Sequence, residues 1–203
     1  MPADANGWSS INSSTNREGA STLECTSTLR TLFLTGAFAL ISATAGAASL
    51  APVQPVAHVD LSRFMGQWYL LAAIPTSYGE NAYNAVESYT LLPNGNIHTG
   101  FVFHEGSFDG PYKHITSTGY VRPDTGNAVW GVDVFLFFRA QYIVGYLKPD
   151  YSEMIVARDK RDYVWIFART PHVPEEDYAD LVAHVRAMGY PVAKLRKVPQ
   201  RWP

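Results

Sequence analysis

The chain is 203 residues long, the size of one ordinary domain, and its formal charge is −2 with acids and bases nearly balanced. That balance gives no electrostatic reason to expect a nucleic acid or an anionic surface as partner. Aromatic residues make up 13% of the chain, which requires a core or a cavity to house them, and the lone cysteine, Cys25, excludes an intrachain disulfide, so stability has to come from packing.

Residues 1–30 are rich in Ser, Thr, Asn and Gly and read as a disordered N-terminal extension. Residues 31–48, TLFLTGAFALISATAGAA, carry no charge, follow Arg30 and end in small residues with Ala-x-Ala patterns at Ala43 to Ala45 and Ala45 to Ala47. This predicts a signal peptide cut near Ala47 or Ala48. The strongly apolar part, residues 32–41, is short of the roughly 20 residues that a spanning helix needs. Cys25 precedes this run, whereas the acylated cysteine of a bacterial lipoprotein would follow it, so the expected product is exported to the periplasm or cell envelope without a lipid anchor. Residues 49–59 form a Pro-containing linker, and residues 60–203 form the domain.

Short β-rich runs then alternate with turn signals at Pro93-Asn94-Gly95, His104-Glu105-Gly106, Pro123 to Gly126, Lys148-Pro149-Asp150 and Arg158-Asp159-Lys160. They predict eight strands over 66–74, 83–92, 96–104, 114–121, 128–138, 141–147, 153–157 and 162–170. An antiparallel meander of that number can close into an all-β, eight-stranded up-and-down barrel wide enough for side chains or one small ligand. Residues 174–189 break the pattern. Proline and three acids open a helix there, Gly189 ends it, and Tyr178, Leu181, Val182, Val185 and Met188 form one apolar stripe to pack outside the barrel. Residues 192–198 could form a ninth strand.

Gly66-Gln67-Trp68-Tyr69, preceded by Asp60-Leu61-Ser62-Arg63-Phe64, resembles the Gly-x-Trp signature of the lipocalins, which follows a single helical turn. A second stretch, Arg161 to Pro171, is similar to the last barrel strand of bacterial lipocalins of the outer-membrane-lipoprotein type, and Tyr89-Thr90-Leu91, Asn94-Gly95 and Gly119-Tyr120-Val121 fall where that family places them. The resemblance spans residues 60–198. It implies a barrel floor built from Gly66, Trp68 and Arg169, with the guanidinium packed over the indole in a structural role. It also implies binding of a fatty acid or lysophospholipid, transported or stored in the cell envelope, without a cofactor and without catalysis. A pigment binder or a lipocalin-fold enzyme is the alternative.

Alternation assigns the candidate cavity. If Asp133 faces water, then Trp130, Val132, Val134 and Leu136 turn inward; His98 and His104 outside put Ile97, Thr99, Phe101 and Phe103 inside. Tyr142, Val144 and Tyr146 would supply a further wall with phenol groups for a ligand head. Glu87 shares parity with Tyr89 and Leu91, so either the strand bulges there and leaves the side chain exposed, or Glu87 sits near the cavity mouth and touches a polar ligand group. Because a glutamate is seldom fully buried the first is expected, and Glu87 is not counted in the site. The six histidines show no ligand spacing, no metal is expected, and neither a Gly-x-Ser-x-Gly elbow nor an interior acid/base pair is evident. The expected partner is a hydrophobic small molecule, with peripheral membrane association and a monomeric or homodimeric state left open.

Overall fold

The computed structural model describes residues 50–75, 79–135 and 138–202. The extension, the signal peptide and Cys25 lie outside the described residues. Val53 and Val59, within the expected linker, are buried against the domain, and the Val56 N–H donates to Val144 O at 2.9 Å.

Asp60 opens the first element. Its carboxylate accepts from the Ser62 N–H at 2.9 Å and the Arg63 N–H at 3.4 Å, capping a single helical turn, α1 (Leu61–Phe64). Eight strands follow: β1 (Gly66–Ile74), β2 (Ala82–Leu91), β3 (Ile97–Glu105), β4 (Tyr112–Val121), β5 (Val129–Phe135), β6 (Phe138–Leu147), β7 (Glu153–Ala157) and β8 (Val164–Ala168). Each pairs antiparallel with the next, and β1 pairs with both β8 and β2, so the sheet closes into the expected barrel. Closure leaves no edge strand among the eight.

One expected strand is two. The run 128–138 divides into β5 and the start of β6, and Arg139 and Ala140, expected between strands, are in the ladder opposite Asp133 and Val132. The reason is chemical. Phe135-Leu136-Phe137-Phe138 contains no Gly, Pro, Asn or Asp to mark a reversal, so the turn is invisible in composition.

The β1–β2 seam is short. β2 pairs with β1 only from Gly66↔Tyr89 to Tyr69↔Val86, beyond which β1 bulges between Leu70 and Ala72 and β2 between Tyr83 and Val86. A two-residue strand, β9 (Arg196–Lys197), takes over the vacated edge at Ala72 and Ala73, so the expected ninth strand over 192–198 is in fact a 3₁₀ turn, Val192–Lys194, followed by this short pairing. Past β9, the Gln200 carboxamide donates to Leu70 O at 2.8 Å and Ala85 O at 3.2 Å, satisfying a carbonyl on each of the separating strands.

The second helix, α2 (Glu175–Ala187), carries Glu175, Glu176 and Asp177 in its first turn, where the helix dipole favours them. Leu181 and Val185 are buried against the outer face formed by Leu71, Ala72, Ile74, Ile143, Ile155, Ala157, Val164, Ile166 and Ala168. The alternate residues of the same strands, including Leu70, Ala73, Val144, Met154, Val156 and Phe167, belong to a second cluster inside the barrel. The wall beneath the helix is therefore apolar on both faces. Lys148 fastens the helix at one end, its ammonium 2.9 Å from Glu153 and 3.2 Å from Asp177.

Candidate functional site: the barrel interior

The floor is an aromatic plug. Trp68 and Trp130 are fully buried, and Phe64 lies between them with ring centroids 5.4 and 5.2 Å away. The Trp68 indole donates to Phe64 O at 2.9 Å, and the Trp130 indole donates to Asn127 O, so neither ring leaves a buried N–H unpaired. Arg169 closes the plug from outside, its guanidinium 3.8 Å from the Trp68 ring centroid. Its N–H groups donate to the carbonyls of Gln67, Arg63, Phe64 and Met65 at 2.7–3.0 Å, at the end of α1 and the start of β1, the Phe64 carbonyl accepting from Trp68 as well. Gly66 makes this approach compatible with the chain direction. Its φ is +96°, a left-handed conformation, and a Cβ there would stand 3.4 Å from Arg169 Nη1.

Above the plug the inward side chains come from several strands. Ile97 and Phe103 are buried in the interior cluster, Thr99 is 4% exposed, and Phe101 packs on Phe103 with centroids 5.1 Å apart. Trp130, Val132, Tyr142 and Val144 join the same cluster. The Trp130 and Tyr142 rings are stacked, 4.7 Å apart and 3° from parallel, and the Tyr142 hydroxyl shares a 2.8 Å hydrogen bond with that of Tyr89. Phe101, Val132, Tyr142 and Trp165 point inward yet remain only partly buried, whereas Phe64, Trp68 and Trp130 of the plug have no accessible surface. That gradient fits an interior filled at one end and open at the other. Val134 and Leu136 lie outside the described side chains.

Tyr146 is a correction. It shares parity with Tyr142 and Val144, but the ladder between β6 and β7 slips between Val144 and Tyr146, and this irregularity turns the ring to the outer face. There it stacks on His184 of α2 at 4.2 Å and belongs to the outer cluster. Burial beside the helix, with Glu153 the foremost nearby charge, raises its phenol pKa.

Glu87 is the second correction. The irregularity in β2 ends at Val86, so Glu87 keeps inward parity, opposite Trp68 on one side and Phe101 on the other. Loss of water pushes its carboxyl up to about 8, against the opposing pull of the Thr99 hydroxyl. No ion-pair partner of Glu87 is found among the described residues. Leu70, Trp165, Phe167, Met154 and Val156 also line the interior. Sequence reading passed over them because both registers of their strands are apolar, which removes the alternation that would distinguish inside from outside.

The family model for a lipocalin-like domain matches residues 59–200, which takes in the floor, every strand and the tail that covers the seam. The chain belongs to the lipocalin family. This lipocalin is 31% identical to temperature-induced lipocalin-1 of Arabidopsis thaliana over 73% of its length and 83% of the relative's. It is 26% identical to the outer membrane lipoprotein Blc of Escherichia coli strain K12, with the same two coverages. Lobster apocrustacyanin A1 shares its fold at a TM-score of 0.56 and 14% identity, over 74% of this lipocalin and 92% of the crustacyanin. Family membership carries small hydrophobic ligand binding or transport as the general activity, and lipocalins are for the most part binding proteins rather than enzymes.

Proposed function

We propose that this lipocalin binds a single-chain lipid, a fatty acid or a lysophospholipid, inside its barrel and carries or stores it in a bacterial cell envelope without chemical change. The observation that supports this reading best is the gradient along the barrel axis. Phe64, Trp68 and Trp130 seal one end, while Phe101, Val132, Tyr142 and Trp165 leave apolar surface accessible above them. Burying each methylene of an acyl chain contributes about 0.8 kcal/mol, so a partly enclosed chain reaches micromolar affinity after the cost of association. In this reading Ile97, Thr99, Phe101, Phe103, Trp130, Val132, Val134, Tyr142 and Val144 serve as the wall, and Gly66, Trp68 and Arg169 as the structural floor.

Export rests on the apolar run 31–48 and on the likeness to an outer membrane lipoprotein, and the position of Cys25 before that run argues against a lipid anchor. The test is expression of the full chain in a bacterium, native mass spectrometry of the periplasmic fraction, and titration with fatty acids and lysophospholipids. A processed N-terminus with a stoichiometric lipid adduct, or saturable micromolar binding, supports the reading. An unprocessed cytoplasmic chain overturns the export part. A coloured adduct, or turnover of a bound compound, overturns the lipid-carrier part.

A further inference from the structure

Among the described residues the interior contains one ionisable carboxyl, that of Glu87, and its surroundings are unusual for an acid. Register places the Glu87 side chain between those of Trp68 and Phe101 on the inner wall, and two residues along β2 stands Tyr89, whose hydroxyl bonds that of Tyr142 at 2.8 Å. The Tyr142 ring stacks on Trp130, and the Tyr89 ring meets Trp130 edge-on at 5.8 Å. The register thus sets Trp68 of β1 and Phe101 of β3 beside the carboxyl, with Tyr89 of β2 and Tyr142 of β6 close enough to feel its charge, and no ion-pair partner among the described residues neutralises it. Arg169 lies behind Trp68, outside the plug, with its guanidinium committed to four main-chain carbonyls. An apolar residue at position 87 would complete the wall at lower cost, so the carboxyl calls for a partner that comes from outside the protein.

We infer that Glu87 and the aromatic rings around it form a subsite for the protonated amine head of a single-chain amphiphile, which enters head-first with its chain directed towards the barrel mouth. This rests on the carrier reading and narrows it. An ammonium supplies the missing charge, and indole, phenol and phenyl faces attract cations where carboxylates are repelled. A fatty acid carboxylate in the same place would meet a like charge once Glu87 ionises, with no cation among the described residues to offset it.

The proton balance follows from the groups that face Glu87. These are Tyr89 on its own strand, Thr99 on β3 and Tyr142 on β6, with Arg169 acting on Tyr89 from beyond the floor. Both phenols are themselves raised, chiefly by burial, and stay protonated through the neutral range. The amine arrives as R–NH₃⁺, Glu87 gives its proton to solvent, and the ion pair forms. Amine binding therefore strengthens as pH rises towards the Glu87 value of about 8, and carboxylate binding does not.

The experiment uses the full chain and three probes with one twelve-carbon chain, dodecylamine, dodecanol and dodecanoate, titrated by quenching of intrinsic tryptophan fluorescence at about pH 6.5 and about pH 8.5. The expected result is an amine affinity about tenfold above that of the alcohol and of dodecanoate at the higher pH, and about tenfold above its own value at the lower pH. Glu87→Gln abolishes both differences. Calorimetry of the unaltered protein near pH 7, in buffers of different ionisation heat, gives an independent readout, with close to one proton released per amine bound. Dodecanoate binding as tightly as dodecylamine at the higher pH, an amine preference that survives Glu87→Gln, or amine binding without proton release overturns the assignment. In those cases alcohol binding still leaves the carrier reading intact. Failure of all three probes to bind overturns both.

Discussion

The guanidinium of Arg169 lies 3.8 Å from the centre of the Trp68 ring, joining the last barrel strand to the first across the floor. Because the same group donates to four carbonyls between Arg63 and Gln67, the helical turn before β1 is held by a residue more than a hundred positions later in the chain.

Trp68→Ala is expected to cost about 3–5 kcal/mol, since the ring is fully buried and its removal opens a cavity among Phe64, Tyr89 and Trp130. Arg169→Lys is expected to recover only part of the loss caused by Arg169→Ala, because one ammonium cannot span four carbonyls and an indole face. Urea denaturation of the three variants checks both statements. Equal stability of Arg169→Lys and the unaltered protein would contradict the bridging role.

Tyr142 and Tyr146, on one strand and of one parity, should behave oppositely. Tyr142→Ala is expected to weaken binding of a fluorescent lipid by about tenfold or more through loss of interior wall area. Tyr146→Ala is expected to lower the unfolding free energy by about 1–3 kcal/mol with lipid affinity unchanged, since its ring packs on His184 outside the barrel. Parallel titration and denaturation of the two variants separates the roles.

The raised Glu87 pKa sets a pH dependence of folding. Between the ordinary value of 4.5 and about 8 the folded chain holds a proton that the unfolded chain has released. Stability therefore falls as pH rises through that window and levels off above it, by an amount on the order of a few kcal/mol. Glu87→Gln should flatten this part of the profile. Thermal melting of the ligand-free protein at intervals from about pH 5 to about pH 9 measures it, and an identical slope in the variant would place the titration elsewhere.

Lys148 holds two carboxylates of different burial. Hydrogen bonds with Glu153 and then Asp177 hold its ammonium pKa well above the ordinary range. Lys148→Met should leave Glu153, whose side chain is 6% exposed, without its cation, and lower stability by about 1–3 kcal/mol. The Lys148→Met, Glu153→Gln double variant should recover part of that loss, which chemical denaturation of the two would show.

Sequence by itself determined the order of most elements and a meander able to close. Turn residues set the strand spacing, alternation set the inner faces of β3 and β5, and Gly66, Trp68 and Arg169 were legible through the resemblance to the lipocalin signature and last strand, while the left-handed φ of Gly66 emerged only from the structure. Three features were decided only by tertiary structure. The β5–β6 turn was hidden because an unbroken apolar run carries no reversal signal, and Tyr146 was misassigned because a bulge moves side chains across the wall without leaving a mark in the residue pattern. Glu87 was expected outside because general burial preferences describe an average glutamate, whereas its actual direction follows from pairing with Trp68 and Phe101, a relationship that exists only once three strands have met.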